Sequence, residues 1–232
     1  MKVHRFIGDF DLAPEQVIIA DATLVHRMGR VLRLQIGERI TLCDGKGHEA
    51  HGTIESIDKK AAVVHVDERG VSSTESPTRL TLYLALVKRD AFELAVQKIT
   101  EVGVAEIVPL ITERTIKSTL NLERLQEIVR EAAEQSGRGY VPAVHEPRSF
   151  EGACKEAKES GGEVRFFDTS SHVATQRNGK ATHHSIFIGP EGGWTPEEQL
   201  LAKQSGFAIV SLGPRILRAE TAAIVASYLS LT

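Results

Sequence analysis

Residues 79–87, RLTLYLALV, are a nearly unbroken apolar run of strand length, and this run constrains the fold more than any other part of the chain. A strand with one face in water alternates apolar and polar side chains. A strand that is apolar throughout must be covered on both faces, as in the parallel sheets of α/β domains. The segments that follow keep to that plan. Asp90 is expected to cap a helix through AFELAVQKITEV that stops at Gly103, and AEIVPLI reads as the next strand. Asn121 is placed to cap LERLQEIVREAAEQS, ended by Gly137, and FEGACKEAKES ends likewise at Gly161 and Gly162. EVRFFD, SIFIG, a helix from Thr195, AIVSL and a last helix through TAAIVASYLSL complete the alternation. Residues 79–232 therefore read as one α/β domain with a mainly parallel sheet, and Leu80, Leu82, Leu84 and Leu86 as its core.

Upstream the pattern changes. RITLCD, EAHGTIESI and AAVVHV, joined by GKG and DKK turns, predict a small antiparallel, barrel-like module from Arg39 to Asp67, within a first domain of residues 1–70. Before it, DATLVHRMGRVLR predicts a short helix with Val25, Met28 and Leu32 on one side and His26, Arg30 and Arg33 on the other. The polar, Pro-containing stretch RGVSSTESPT marks the boundary, with residues 71–78 as a linker. Net charge is only -3, so a nucleic-acid partner has to be met by a local basic patch rather than by the whole surface. The opening MKVHRFIGDF does not resemble a signal peptide, and no window approaches the apolar length of a membrane span. Two cysteines in separate elements are not a disulfide framework, so a cytoplasmic, reducing location is expected. Cys43, His48, His51 and the adjacent His183 and His184 lack usual zinc spacing, and no metal is expected.

The chemistry concentrates near the C-terminal end. IFIGPEGGWTPEE, residues 186–198, is a buried strand running into a Gly-rich loop and then a helix, with Thr195 as N-cap, Pro196 at N1 and Glu198 at N3 as a capping box. Gly189, Gly192 and Gly193 either permit a tight connection or bring backbone close to a ligand. A second strand end, AIVSL into Gly213-Pro214, repeats the arrangement, and two such loops suggest one cleft at the carboxyl ends of the strands. The chain has no P-loop and no G-x-G-x-x-G after a strand, which argues against polyphosphate and dinucleotide sites. Backbone groups beside Ile188, Leu212, Ile216 and Leu217 suit a neutral, flat purine with a small amino-acid part.

These segments resemble the SPOUT methyltransferases, and specifically the RsmE family of 16S ribosomal RNA uracil-N3 methyltransferases. The likeness runs through HRF at 4–6, HRMGRVLR at 26–33, KRDAFELAVQKITEVGV at 88–104, EQSGR at 134–138, IGPEGGW at 188–194 and LGPRILRAETA at 212–222. Trp194 stands where the family more often has Phe. The resemblance implies a deep C-terminal trefoil knot, a homodimer, an N-terminal PUA-like barrel that grips RNA, and S-adenosylmethionine as cofactor. It implies a cofactor site built from Thr169 beside Asp168, from Ile188, Gly189, Pro190, Gly192 and Gly193, and from Leu212, Gly213, Ile216, Leu217, Arg218, Thr221 and Ala222. The implied substrate is a uridine of 16S ribosomal RNA within the small ribosomal subunit.

For that reaction Glu220 and Glu191 are the candidate general bases, and Arg218 is the group placed to stabilise a developing uracil anion. Arg5, His26, Arg30 and Arg33 are the expected RNA contacts of the first module, and Lys88, Lys98 and Arg138 those of the second domain. Two other readings stand beside this one: a SPOUT methyltransferase acting on ribose 2′-OH or transfer RNA, and a non-catalytic ribosome-assembly factor. The latter predicts eroded cofactor loops, and the former lacks the HRF and HRMGRVLR segments.

Overall fold

The computed structural model describes residues 3–115, 120–171, 173 and 182–232. The chain divides into two compact units, one of residues up to Glu75 with Ala133–Val141, the other of Ser76–Ala132 with Pro142–Thr232.

The first unit is a five-stranded sheet built from β1 (His4–Ile7), β2 (Gln16–Ile19), β3 (Arg39–Cys43), β4 (His48–Ile57) and β5 (Ala62–Val71), in the order β1-β3-β4-β5-β2. Phe6, Ile19, Met28, Ile40, Leu42 and Ile54 are fully buried at its centre. The antiparallel module expected from Arg39 to Asp67 is present as β3, β4 and β5, and β1, which lies outside that expectation, joins β3 in parallel. Nothing in local alternation encodes that pairing, since the two strands lie more than thirty residues apart. Two irregularities in the β4–β5 register bend the sheet, and at Gly52 an added Cβ would stand 2.3 Å from the His65 carbonyl oxygen, so only glycine fits.

The expected helix from Asp21 breaks in two. Asp21 caps α1 (Ala22–His26) by accepting the Leu24 N–H at 2.7 Å, and the chain then widens into a π turn over Arg27–Val31. The Leu32 N–H bonds the Arg27 carbonyl five residues back. Val25 and Met28 still point inward, and Arg33 follows with a φ of 56°, a left-handed conformation unusual for a non-glycine residue. The segment 133–141 completes this unit. Ala133 packs on Ile7 and Cys43, Glu134 accepts the Ile7 N–H at 2.7 Å, and Arg138 pairs with Glu75 at 2.7 Å.

In the second unit β6 (Arg79–Ala85), α2 (Arg89–Val102), β7 (Glu106–Ile111) and α3 (Leu122–Ser136, whose last turn passes to the first unit) are followed by the two-residue strands β8 (Ala143–Val144) and β9 (Arg148–Ser149). Then come α4 (Phe150–Glu159), β10 (Glu163–Phe167), β11 (His183–Ile188), α5 (Pro196–Gln204), β12 (Ala208–Val210) and α6 (Ala219–Leu231). The sheet order is β12-β10-β11-β6-β7-β8, with β9 also on β7, and every pairing is parallel. β6 is buried on both faces, as its apolar run requires. On one face Tyr83, Phe166 and Phe187 pack under α4 and α5, Tyr83 stacking on Phe187 at 4.4 Å, while α6 packs on β6, β11 and α2. Asp90 is not the cap of α2. Lys88 occupies that position, and Asp90 sits in the first turn, where the helix dipole favours an acid. The remaining caps follow the sequence: Asn121 accepts the Arg124 N–H, and Gly103 and Gly137 turn at positive φ. Because β10 lies between β12 and β11, the carboxyl ends of three adjacent strands stand side by side.

Candidate active site

The loops leaving β10, β11 and β12 meet in one cleft of about 400 Å³. Its size falls in the range of pockets that enclose small organic ligands. Each loop has a local cause. After β11 the chain must pass over a buried indole, and at Gly189 an added Cβ would lie 2.8 Å from the Trp194 ring. Trp194 donates its ring N–H to the Phe167 carbonyl at 2.9 Å and packs 4.4 Å from Phe166 and 5.2 Å from Phe150. The indole thus fastens the β11 loop to the end of β10. Gly193, at φ +68°, closes the Pro-Glu-Gly-Gly turn by donating to the Pro190 carbonyl at 2.9 Å. The capping box then forms as its sequence requires, with Thr195 accepting from the Glu198 N–H and Glu198 accepting from the Thr195 N–H.

The other two loops are held as firmly. Asp168 is buried. Its carboxylate accepts from the Ser170 N–H at 2.8 Å and from Gln199 at 2.6 Å, and its own N–H donates to Val210 at the end of β12. Ser211 accepts the Gly213 N–H at 3.2 Å, fixing the start of the third loop. Beneath the cleft, burial together with the Glu198 and Glu151 carboxylates pushes the Cys154 thiol up to about 12, so it stays protonated. Burial likewise raises Cys43 to about 11, against the opposing pull of Arg5.

Thr169, Ile188, Gly189, Pro190, Gly192 and Gly193 line the cleft, as do Leu212, Gly213, Ile216, Leu217, Arg218 and Ala222. Thr221 does not; it is exposed in the first turn of α6. Among the acids, Glu191 lines the cleft, whereas Glu220 does not; its side chain is 15% exposed and 4.0 Å from the Arg218 guanidinium. Arg218 itself is 86% exposed at the N-terminus of α6.

The expected RNA contacts separate into two groups. His26, Arg30, Arg33 and Lys88 are exposed. Arg5 is bound to Glu49 at 2.7 Å and to the Cys43 sulfur at 2.8 Å, Lys98 pairs with Glu101 at 2.8 Å, and Arg138 is 5% exposed against Glu75. Arg5 and Arg138 are thus structural cations of the first unit, and Arg138 does not belong to the second domain as its position in the sequence suggests. Sequence reasoning missed the parts played by Trp194, Gln199, Ser211 and Arg114 around the cleft. The first stands inside a motif and its burial was inferable. The others reach the site through side-chain contacts that leave no periodic trace. Among the described residues no group of three or more His, Cys, Asp or Glu is placed to hold a metal ion, and no helix is long and apolar enough to cross a membrane.

An RNA methyltransferase domain family matches residues 74–230, and an RNA methyltransferase PUA domain family matches residues 25–67. The ribosomal RNA small subunit methyltransferase E of a Synechocystis species is 39% identical over 93% of this chain and 74% of its own length. That of Rickettsia conorii is 32% identical over 97% and 94%. The crystal structure of a ribosomal RNA small subunit methyltransferase E from Neisseria gonorrhoeae bound to S-adenosyl methionine superposes with a TM-score of 0.90 at 32% identity, covering 97% of this chain and 95% of that one. On these matches, which span both units, the chain belongs to the ribosomal RNA small subunit methyltransferase E (RsmE) family of RNA methyltransferases.

Proposed function

We propose that the protein transfers a methyl group from S-adenosylmethionine to N3 of a uridine in 16S ribosomal RNA, acting on the small ribosomal subunit. Methylation of small-subunit ribosomal RNA with this cofactor follows from the family. The observation that carries the reading is the convergence of three strand-end loops on one cleft lined by the IGPEGG and LGPRILRA segments. The residues present fit the cofactor. Gly189 makes room for the Trp194 indole that lines the cleft, Gly213 turns at a φ of +113°, and the lining combines apolar Ile188, Leu212 and Leu217 with the glycines of the Gly189–Gly193 segment. When bound there, S-adenosylmethionine supplies an electrophilic methyl on a sulfonium.

The chain's own residues have two tasks, to orient the base and to help one proton leave. The N3 proton has to leave before the ring nitrogen can act as a nucleophile, so a proton acceptor is needed beside the base. Glu191, on the cleft wall, is the better placed of the two candidate proton acceptors, and the charge of Arg218, which also lines the cleft, stabilises the uracil anion. Because N3 is a Watson–Crick position, the target base must be unpaired or flipped out. Residues 1–70 act as the RNA-gripping PUA-like module through His26, Arg30 and Arg33; residues 71–78 are the linker, and residues 79–232, apart from the 133–141 segment that packs with the first unit, form the methyltransferase domain, in which Lys88 contacts RNA. We further propose that this domain is a deep trefoil knot, that it works as a cytoplasmic homodimer, and that no metal takes part.

The test is to incubate the protein with labelled S-adenosylmethionine and small subunits from cells lacking the enzyme, then to map the modified base. The reading requires 3-methyluridine at a single site. Label on another base, on ribose or nowhere contradicts it.

A further inference from the structure

The cofactor loop is gripped from a fourth strand end that the functional reading does not use. β7 ends in a tight turn at 112–115, where the Thr112 N–H donates to the Thr115 hydroxyl at 2.9 Å and the Thr115 N–H returns to the Thr112 carbonyl. Two opposite charges join this turn to the loop after β11. The buried Glu198 carboxylate accepts the Glu113 N–H at 3.0 Å with one oxygen and the Thr195 N–H at 2.9 Å with the other. The Arg114 guanidinium reaches in the other direction and donates to the Gly192 carbonyl at 2.8 Å and to the Trp194 carbonyl at 3.3 Å. Its aliphatic stem also lies along Gly192, where an added Cβ would come within 3.3 Å of it. Both carbonyls bound by Arg114 belong to the segment that lines the cleft.

A loop that must hold a ligand by its backbone has to keep its peptide planes oriented before the ligand arrives, or binding pays the ordering entropy. Glycines make that cost high here, because Gly192 and Gly193 leave the segment little intrinsic stiffness. A guanidinium donating to two nearby carbonyls of one loop supplies the missing stiffness, and Glu198 fixes the turn that carries the guanidinium. Resting on the reading of the cleft as the S-adenosylmethionine site, we propose that Arg114 is a positioning residue that holds the cofactor loop in its binding conformation, with Glu198 anchoring the turn from which it acts. Arg114 does not line the cleft, so it acts through the backbone of 192–194 and not by touching the cofactor.

The experiment compares wild type, Arg114→Ala and Arg114→Lys by calorimetric titration with S-adenosylmethionine, by unliganded thermal unfolding, and by the KM for cofactor and for small subunits. Arg114→Ala is expected to weaken cofactor binding about tenfold, the order of a lost charge-assisted hydrogen bond at a partly exposed site. Its unliganded melting temperature and its KM for small subunits stay near wild type, because the capping box and the sheet are untouched. Arg114→Lys, which keeps a cation but not the planar fork, recovers part of the affinity. Amide exchange at Gly193, whose N–H bonds Pro190, speeds up in Arg114→Ala before cofactor is added. Wild-type uptake with equal uptake by Arg114→Ala overturns the inference alone. Parallel losses of unliganded stability and of affinity, without rescue by lysine, also overturn it by making the residue merely structural. Failure of wild type to bind the cofactor overturns the functional reading and this inference with it.

Discussion

Replacing Gly189 by alanine tests how the cleft is built, because the chain's single tryptophan lies against it. Gly189 does not use a positive φ, so alanine carries no backbone penalty there and lowers the entropy of the unfolded chain by ~0.4–1 kcal/mol. The cost is steric. The new Cβ would stand 2.8 Å and 3.0 Å from two atoms of the Trp194 indole, a ring wedged between Phe150 and Phe166 and tied to the Phe167 carbonyl. Overpacking of this kind costs ~1–3 kcal/mol, and if the indole swings away instead, the buried carbonyl it leaves unpaired costs a similar ~1–3 kcal/mol. A net loss of about 1–2 kcal/mol is expected, with cofactor affinity falling as the loop shifts. Denaturant unfolding gives the stability, and Trp194 emission, red-shifted in Gly189→Ala, reports the displacement. Combining Gly189→Ala with Trp194→Phe removes the colliding part of the ring, so the two changes together should cost less than their sum. Stability within about 0.5 kcal/mol of wild type, or strict additivity with Trp194→Phe, would mean that the indole does not resist the added methyl.

Three further outcomes follow from named groups. His184 is buried, its Nδ1 has no hydrogen-bond partner among the described residues, and desolvation and then the Arg165 charge hold its imidazole below the usual value, with Glu163 opposing from 3.6 Å. Its folded pKa is depressed, so the unfolded chain takes up the proton first. Stability is therefore full above about pH 6.5 and declines as pH falls from there toward the folded value, and His184→Gln should flatten that limb of a stability–pH profile. Arg30→Ala with Arg33→Ala should weaken binding to small-subunit RNA and reduce its salt dependence by about 0.7–1 for each phosphate that the two arginines no longer neutralise, with thermal stability unchanged. Arg218→Ala should lower kcat by ~10²–10³ while altering cofactor affinity far less, as single-turnover rates and calorimetry will separate.

The fold was legible wherever a pattern is local. The apolar run at 79–87 implied a doubly covered strand, and the Thr195–Glu198 spacing implied a capping box; both are present. The paired Gly-Pro loops implied one cleft, and β10, β11 and β12 bring them together because the sheet order places those strands side by side. What escaped depends on residues far apart in the chain meeting in space. The parallel docking of β1 on β3 and the use of residues 133–141 by the first unit rest on Ile7, Cys43, Ala133 and Glu134 coming together. Arg5 and Arg138 look like free cations in the sequence, and only their carboxylate partners Glu49 and Glu75 make them structural. The π turn at Arg27–Val31 has a composition that a regular helix would also accept. Arg114 sits in an unremarkable loop, and its grip on Gly192 depends wholly on where β7 ends relative to β11.

Binding of the methyl donor by the three strand-end loops is read out by titrating the protein with S-adenosylmethionine while following Trp194 emission, since that ring forms part of the cleft wall. A saturable change in emission is expected in the wild type. Gly193→Val should abolish it, because a β-branched residue cannot hold the φ of +68° that the turn requires. A wild-type titration without saturation, or equal binding by Gly193→Val, would mean that these loops are not the cofactor site.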